Sequence, residues 1–192
     1  MKVRVGVSNR HVHLCEKDFK ILFKNDNFYS IKDLSQKGEF ASNLMVDVKT
    51  NKGTLHNVRV IGPLREVSQI EISKTDSYTL GINPPVRMSG NLDNSSLVTL
   101  VNGENEVNDV SCILAHRHIH VNEKEIKKYG LDINKKYSIK VPGVRGGILD
   151  NVLIKVKDNY SLEIHIDTDE ANAFSINNGD YVEVMEGDNL NG

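Results

Sequence analysis

Gly53-Thr54-Leu55-His56-Asn57-Val58-Arg59-Val60 and Gly147-Ile148-Leu149-Asp150-Asn151-Val152-Leu153-Ile154 read as two versions of one strand, offset by 94 residues. Both open on glycine and keep Leu, Asn and Val at their third, fifth and sixth positions. Upstream of each lies a second repeated motif, Arg10-His11-Val12-His13 and Arg117-His118-Ile119-His120, offset by 107. The second half therefore carries a net deletion of 13 residues between its two motifs. Two motifs repeated in the same order imply an internal duplication, with each copy building the same small substructure.

The remaining local signals are mostly strands as well. Residues 1–7 alternate Val3, Val5 and Val7 with polar or small residues, and runs at 44–48, 55–61, 69–73, 97–101, 137–141, 148–156, 162–166 and 181–184 are β-branched-rich or alternating. Turn signals such as Asn51-Lys52-Gly53, Gly62-Pro63, Pro142-Gly143 and Asn178-Gly179-Asp180 separate them. A helix is predicted over 123–129, with Asn122 as N-cap, Glu125 in the capping-box position and Gly130 as terminator. The repeat predicts its partner over 16–23, and a short third helix is expected over 169–174. Many short strands with few helices predict a mainly β protein of two related small β-barrels with short capping helices.

Side chains alternate along a strand, so the two imidazoles of an H-x-H segment project from one face and form half of a typical zinc site. Carrying the offset of 94 forward sets Ile70-Glu71-Ile72 on Ile164-His165-Ile166. Each half then offers a third ligand at the same repeat position: Glu71 with His11 and His13, and His165 with His118 and His120. Three protein ligands leave a coordination position open, as catalytic zinc sites do, whereas four close a structural one. His116 has Asn9 as its counterpart and reads as an outer-shell or solvent-facing residue; His56 lies outside the motifs and reads as a surface histidine. Cys15 follows His13 by two residues, but Asn122 takes that place in the second copy, so a buried or incidental thiol is expected there rather than a ligand.

The chain has 192 residues, a formal net charge of -2 and 39% hydrophobic residues. That balance argues against a mainly electrostatic nucleic-acid binder, and a few local Lys and Arg residues suffice for a small anion. Cys15 and Cys112 form no disulfide framework or C-x-x-C motif and suit a reducing compartment. Without a run of ~18 apolar residues or a signal peptide, a cytoplasmic location and no membrane partner are expected.

The same residues carry a resemblance. Val5-Gly6-Val7-Ser8-Asn9-Arg10-His11-Val12-His13-Leu14, Gly62-Pro63-Leu64-Arg65, Gln69-Ile70-Glu71-Ile72-Ser73, Pro85-Val86-Arg87-Met88-Ser89-Gly90 and Arg117-His118-Ile119-His120 resemble the signature segments of the PduL-type phosphotransacylases. The resemblance covers nearly the whole chain. It implies interconversion of a short-chain acyl-CoA plus phosphate with an acyl phosphate plus CoA. It also implies two Zn2+ per chain, one on His11, His13 and Glu71, the other on His118, His120 and His165. It further implies Arg65 as the catalytic phosphate contact and Val7, Ser8, Asn9, Lys52, Arg59 and Asn172 as CoA contacts. The first strand is expected to cross over and complete the second barrel, giving units of residues 10–115, and 1–9 with 116–187, and a tail over 188–192. Partners are then CoA or acyl-CoA and inorganic phosphate, in a homodimer or larger homo-oligomer. The N-terminal extension thought to direct packaging in microcompartment-housed members is not seen, which again points to the cytoplasm.

An arginine after Gly62-Pro63 can be presented rigidly for a bidentate grip on phosphate. Lys52 and Arg59 suit the phosphates of CoA, and Gly146-Gly147 reads as a turn because no helix follows it. The competing readings are a zinc hydrolase and a non-enzymatic zinc-binding module. H-x-H on a first strand also occurs in amidohydrolases, but those need a (β/α)₈ barrel of about 250 residues, and this chain is too short and too strand-rich for one.

Overall fold

The computed structural model describes residues 1–24 and 27–189. In chain order the first half holds β1 (Lys2–Ser8), β2 (His11–His13), α1 (Glu16–Phe23), β3 (Ser30–Asp33), β4 (Phe40–Lys49), β5 (Thr54–Gly62), β6 (Gln69–Ile72), α2 (Lys74–Leu80), β7 (Val86–Arg87), β8 (Ser96–Asn102) and β9 (Asn105–Ala115). The second half holds β10 (His118–Val121), α3 (Glu123–Tyr129), β11 (Lys135–Val141), β12 (Gly147–Val156), β13 (Glu163–Asp167), α4 (Thr168–Phe174) and β14 (Tyr181–Asn189). Among the described residues no helix is long and apolar enough to cross a membrane.

Contacts divide the chain into an N-terminal unit, Asn9–Leu34 with Gly38–Ala115, and a C-terminal unit made of Met1–Ser8, Ser35–Lys37 and the chain from His116 onward. The expected boundaries did not include the three-residue Ser35–Lys37 segment in the second unit, and β14 runs through Asn189, so residues 188 and 189 are strand rather than tail. Residues 190–192 of the expected tail lie outside the described residues.

Each unit is a closed six-stranded ring. In the C-terminal unit the order is β1-β13-β10-β12-β11-β14, closed by β14 against β1. In the N-terminal unit it is β4-β5-β2-β6-β9-β8, closed by β8 against β4, with β3 and β7 added outside the ring. The rings match strand for strand in pairing sense. The H-x-H strands β2 and β10 lie parallel to β5 and β12 and antiparallel to β6 and β13. By the same match, β1 beside β13 occupies the place of β9 beside β6, both parallel. Yet β1 runs into β2 in sequence just as β9 runs into β10. The duplicated units have therefore exchanged their closing strands.

The pleat explains why the repeat reads as it does. Val12 and Ile119 are fully buried in their own cores, the first with Val60, Ile70 and Leu100, the second with Ile139, Val152 and Ile164. Alternation then sends the flanking histidines to the opposite face. Asn57 and Asn151, the fifth residue of each octapeptide, adopt φ 56 and 58, where asparagine is among the few side chains tolerated. Both sit at register shifts against the neighbouring strand, so the asparagine is kept for a bulge.

Three strands and one helix were not foreseen. β9 is masked because Asp109, with φ 58, breaks its alternation. Buried Val107 and Val110 are then spaced by three before the continuous Cys112-Ile113-Leu114 run. β3 is exposed at every position and β7 has two residues, so neither has an apolar pattern to read. Helix α2 was legible in principle: Ser73 and Asp76 form a capping box and Gly81 is its left-handed terminator.

Candidate metal centres

In the N-terminal unit β2 and β6 pair so that His11 faces Glu71 and His13 faces Gln69. His11 donates its Nδ1 proton to the Asn9 carbonyl at 2.8 Å, which turns Nε2 toward the site, 3.6 Å from Glu71 Oε2. Burial, then the charges of His11 and Arg65, holds His13 well below the ordinary histidine range, so its ring is neutral. The C-terminal unit repeats the arrangement: His118 faces His165 and His120 faces Glu163. His118 Nδ1 donates to the His116 carbonyl at 2.7 Å, the equivalent of the His11–Asn9 bond. His116 thus acts on the site through its backbone. His120 is driven far below its ordinary pKa, by burial first and then by His118 and His165.

Both groups fit a cation. The ligand atoms of His11, His13 and Glu71, and those of His118, His120 and His165, lie within 4.8 Å of one another in each group. His118 Nε2 and His120 Nε2 face each other at 3.0 Å, and the Nδ1 atoms of His13 and His120 are buried without a hydrogen-bond partner. Neutral imidazole is the metal-binding form. Ligand atoms ~2.0–2.1 Å from a tetrahedral ion lie about 3.3–3.4 Å apart, a value bracketed by the 3.0 and 3.6 Å separations found here. Neither cysteine joins these groups. Burial and the charge of Asp76 push the Cys112 thiol up to about 12.

The first site is wired to Arg65 by Gln69 and Ser89, which lie inside the resembling segments but were given no role of their own. Gln69 is buried; its amide donates to Glu71 Oε1 at 2.5 Å and to Ser89 Oγ at 2.8 Å, while its carbonyl accepts from the Gly90 N–H at 3.0 Å. Arg65 Nη1 donates to the same Ser89 Oγ at 3.0 Å, and Nη2 lies 3.6 Å from Glu39 Oε1. The Arg65 backbone N–H bonds to the Leu14 carbonyl at 2.8 Å, fixing its stem beside β2. In the second site the residue equivalent to Gln69 is Glu163. Its Oε2 lies 2.8 Å from His165 Nε2 and accepts from the Ser35 hydroxyl, and its Oε1 accepts from Arg4 Nη1 at 2.8 Å. Burial alone would raise the Glu163 carboxyl, but these partners outweigh it and hold the group below its ordinary range. Gln69 opens one of the resembling segments, and the offset of 94 carries it onto Glu163. Gln69→Leu is expected to keep the barrel yet weaken metal binding at the first site by ~10–100-fold, the usual cost of losing an outer-shell partner. Unchanged affinity in a chelator competition would show that Glu71 does not need the amide.

Three of the proposed CoA contacts, Asn9, Lys52 and Arg59, belong to the N-terminal unit. Arg59 pairs with His11 across β2 and β5 and donates to the Ser42 carbonyl at 2.9 Å, and Asn9 is the residue whose carbonyl orients His11. Lys52 lies on the β4–β5 turn, its stem packed over Gly81. The five residue-to-residue steps from Thr54 to Arg59 put that turn roughly 16 Å along from the histidines. Val7 and Ser8 end β1, and Asn172 is exposed on α4. Exposed His56 pairs with Asp47 at 2.7 Å and is not among the donor groups.

Comparison with known proteins agrees on one family. The family model for phosphate propanoyltransferase matches residues 4–177. A phosphate propanoyltransferase of Thermotoga maritima is 43% identical, over 95% of this chain and 88% of its own length. One from Levilactobacillus brevis is 38% identical over 96% of this chain and 89% of its own. A third, from Salmonella typhimurium, is 43% identical over 92% and 85%. Matched over most of its length by the family model and by these relatives, the chain belongs to the phosphate propanoyltransferase family, a family of acyltransferases.

Proposed function

We propose that this protein interconverts propanoyl-CoA or acetyl-CoA plus phosphate with the corresponding acyl phosphate plus CoA, using two zinc ions per chain. The observation that carries the reading is the pair of three-donor groups, His11/His13/Glu71 and His118/His120/His165, at equivalent positions of a duplicated acyltransferase chain. Nitrogen and carboxylate donors in these sets suit zinc, and three of them leave room for a substrate atom. Zinc held there would favour the thiolate form of the CoA sulfur and polarise the thioester carbonyl.

The chain's own residues supply the rest. Arg65, steadied by Ser89 and Glu39, offers its guanidinium fork to two phosphate oxygens and orients the third toward the carbonyl. Glu71, held by Gln69, sets the charge of the site where sulfur departs. Val7, Ser8, Asn9 and Asn172 contact CoA, and Lys52 and Arg59 suit its phosphates. CoA is a long molecule with thiol and phosphates at opposite ends, so the separation of Lys52 from the histidines supports that role.

Thiol release from propanoyl-CoA and acetyl-CoA, followed with and without phosphate, tests the reading. Release is expected only when phosphate is present, with one acyl phosphate formed per thiol. Equal release in water alone would make the protein a hydrolase, and no release from either ester would leave a zinc-binding module.

A further inference from the structure

The arginine that opens each Arg-His-x-His motif is not among the metal donors, yet both copies use it in the same way. Arg10 Nη1 pairs with Asp76 Oδ1 at 2.9 Å, and Arg117 Nε pairs with Glu170 Oε1 at 2.6 Å. Asp76 and Glu170 are the capping-box acids of α2 and α4, the helices that follow the strands carrying Glu71 and His165. In each, the second carboxylate oxygen accepts the N-cap backbone N–H: Ser73 to Asp76 Oδ2 at 3.2 Å, Asp167 to Glu170 Oε2 at 3.1 Å. One carboxylate thus grips the helix start with one oxygen and the arginine with the other. The N-cap residue lies two positions beyond the third ligand, and the arginine one position before the first histidine.

Two contrasts mark this as a device of the metal sites. The capping box of α3 does not follow a third-ligand strand, and its acid, Glu125, spends both oxygens on backbone N–H groups, of Asn122 and Leu162. The two arginine pairs also compensate in reach. The shorter aspartate meets the outer guanidinium nitrogen of Arg10, while the longer glutamate meets the inner Nε of Arg117. The span from H-x-H strand to helix is conserved although the residues differ. The strands it joins are short: β2 has three residues and β6 and β10 have four each, so few ladder hydrogen bonds fix their mutual position.

We propose that Arg10–Asp76 and Arg117–Glu170 are positioning pairs, each holding its H-x-H strand against its third ligand and so setting the metal affinity of its own site. The inference rests on the metal reading above, and the test separates the two. Zinc is titrated against a chromophoric chelator into wild type, Arg10→Gln and Arg117→Gln, each first checked for β structure by circular dichroism well below its melting temperature. Wild type is expected to bind two equivalents. Each variant should bind one equivalent as wild type does and the other about 10–100-fold more weakly, the range for outer-shell partners. Should either arginine variant fail to fold, Asp76→Asn or Glu170→Gln keeps an oxygen for the helix cap and replaces the oxygen that meets the arginine with an NH2 that cannot accept from it. Folded variants with two wild-type affinities would overturn the positioning role and leave the metal reading intact. A wild type that binds no zinc would overturn the metal reading itself.

Discussion

Glu71→Ala and His165→Ala are each expected to strip one equivalent of metal from the protein and to abolish most turnover. Neither residue belongs to an H-x-H pair, so the two variants test whether the third donor of each set matters. Glu71 lies directly across from His11, and His165 directly across from His118, each at one end of the short pairing that brings the donors together. Loss of one donor of three leaves two imidazoles, and even outer-shell losses weaken binding ~10–100-fold, so the affinity of the affected site should fall by at least about 100-fold. The other site, built on a separate core, should keep its ion. Metal content by mass spectrometry on the dialysed variants decides the matter. Two equivalents in both would mean that the donors are completed from elsewhere.

How much of this was legible beforehand follows from distance along the chain. The H-x-H pairs are contiguous, so period-2 alternation alone turned both imidazoles to one face. Glu71 and His165 lie far from those pairs in sequence, and only the offset of 94 exposed them, because a duplication reports a spatial relation that a single copy hides. The same offset pairs α2 with α4 and Gln69 with Glu163, yet the roles of Gln69 and Ser89 stay hidden within the quoted segments, since neither has a chemistry that announces itself. Their roles come from adjacency: Gln69 faces His13 across two strands, and Ser89 reaches both its amide and the Arg65 guanidinium. Strand β9 escaped for a different reason. Its bulge at Asp109 shifts the apolar face by one residue, and a period-2 reading cannot follow a strand that changes phase.

Arg65→Lys is expected to keep the fold and both metals while slowing the reaction about 30- to 900-fold, which corresponds to ~2–4 kcal/mol of barrier. Lysine preserves the positive charge, so the loss isolates geometry. Guanidinium presents parallel donors to two phosphate oxygens, whereas ammonium is a single point. The setting sharpens that difference. Arg65 is anchored by its backbone to Leu14, by Nη1 to Ser89 and by Nη2 toward Glu39, so its remaining N–H groups are aimed by contacts on several sides. A lysine Nζ cannot bond Ser89 and span two phosphate oxygens in the same plane. Its charge is also placed to act on the first site, since Arg65, after burial and His11, helps hold His13 neutral. The defect should therefore appear in the phosphate KM, in kcat or in both, with the KM for acyl-CoA little changed and the metal content at two equivalents. Arg87 is the nearest alternative by sequence, but its Nε and Nη1 are already committed to the carbonyls of Asp93 and Val86. If the lysine variant matches wild type in every constant, phosphate is held by Arg87 or Arg145 instead, and Arg65 serves only to pin Ser89.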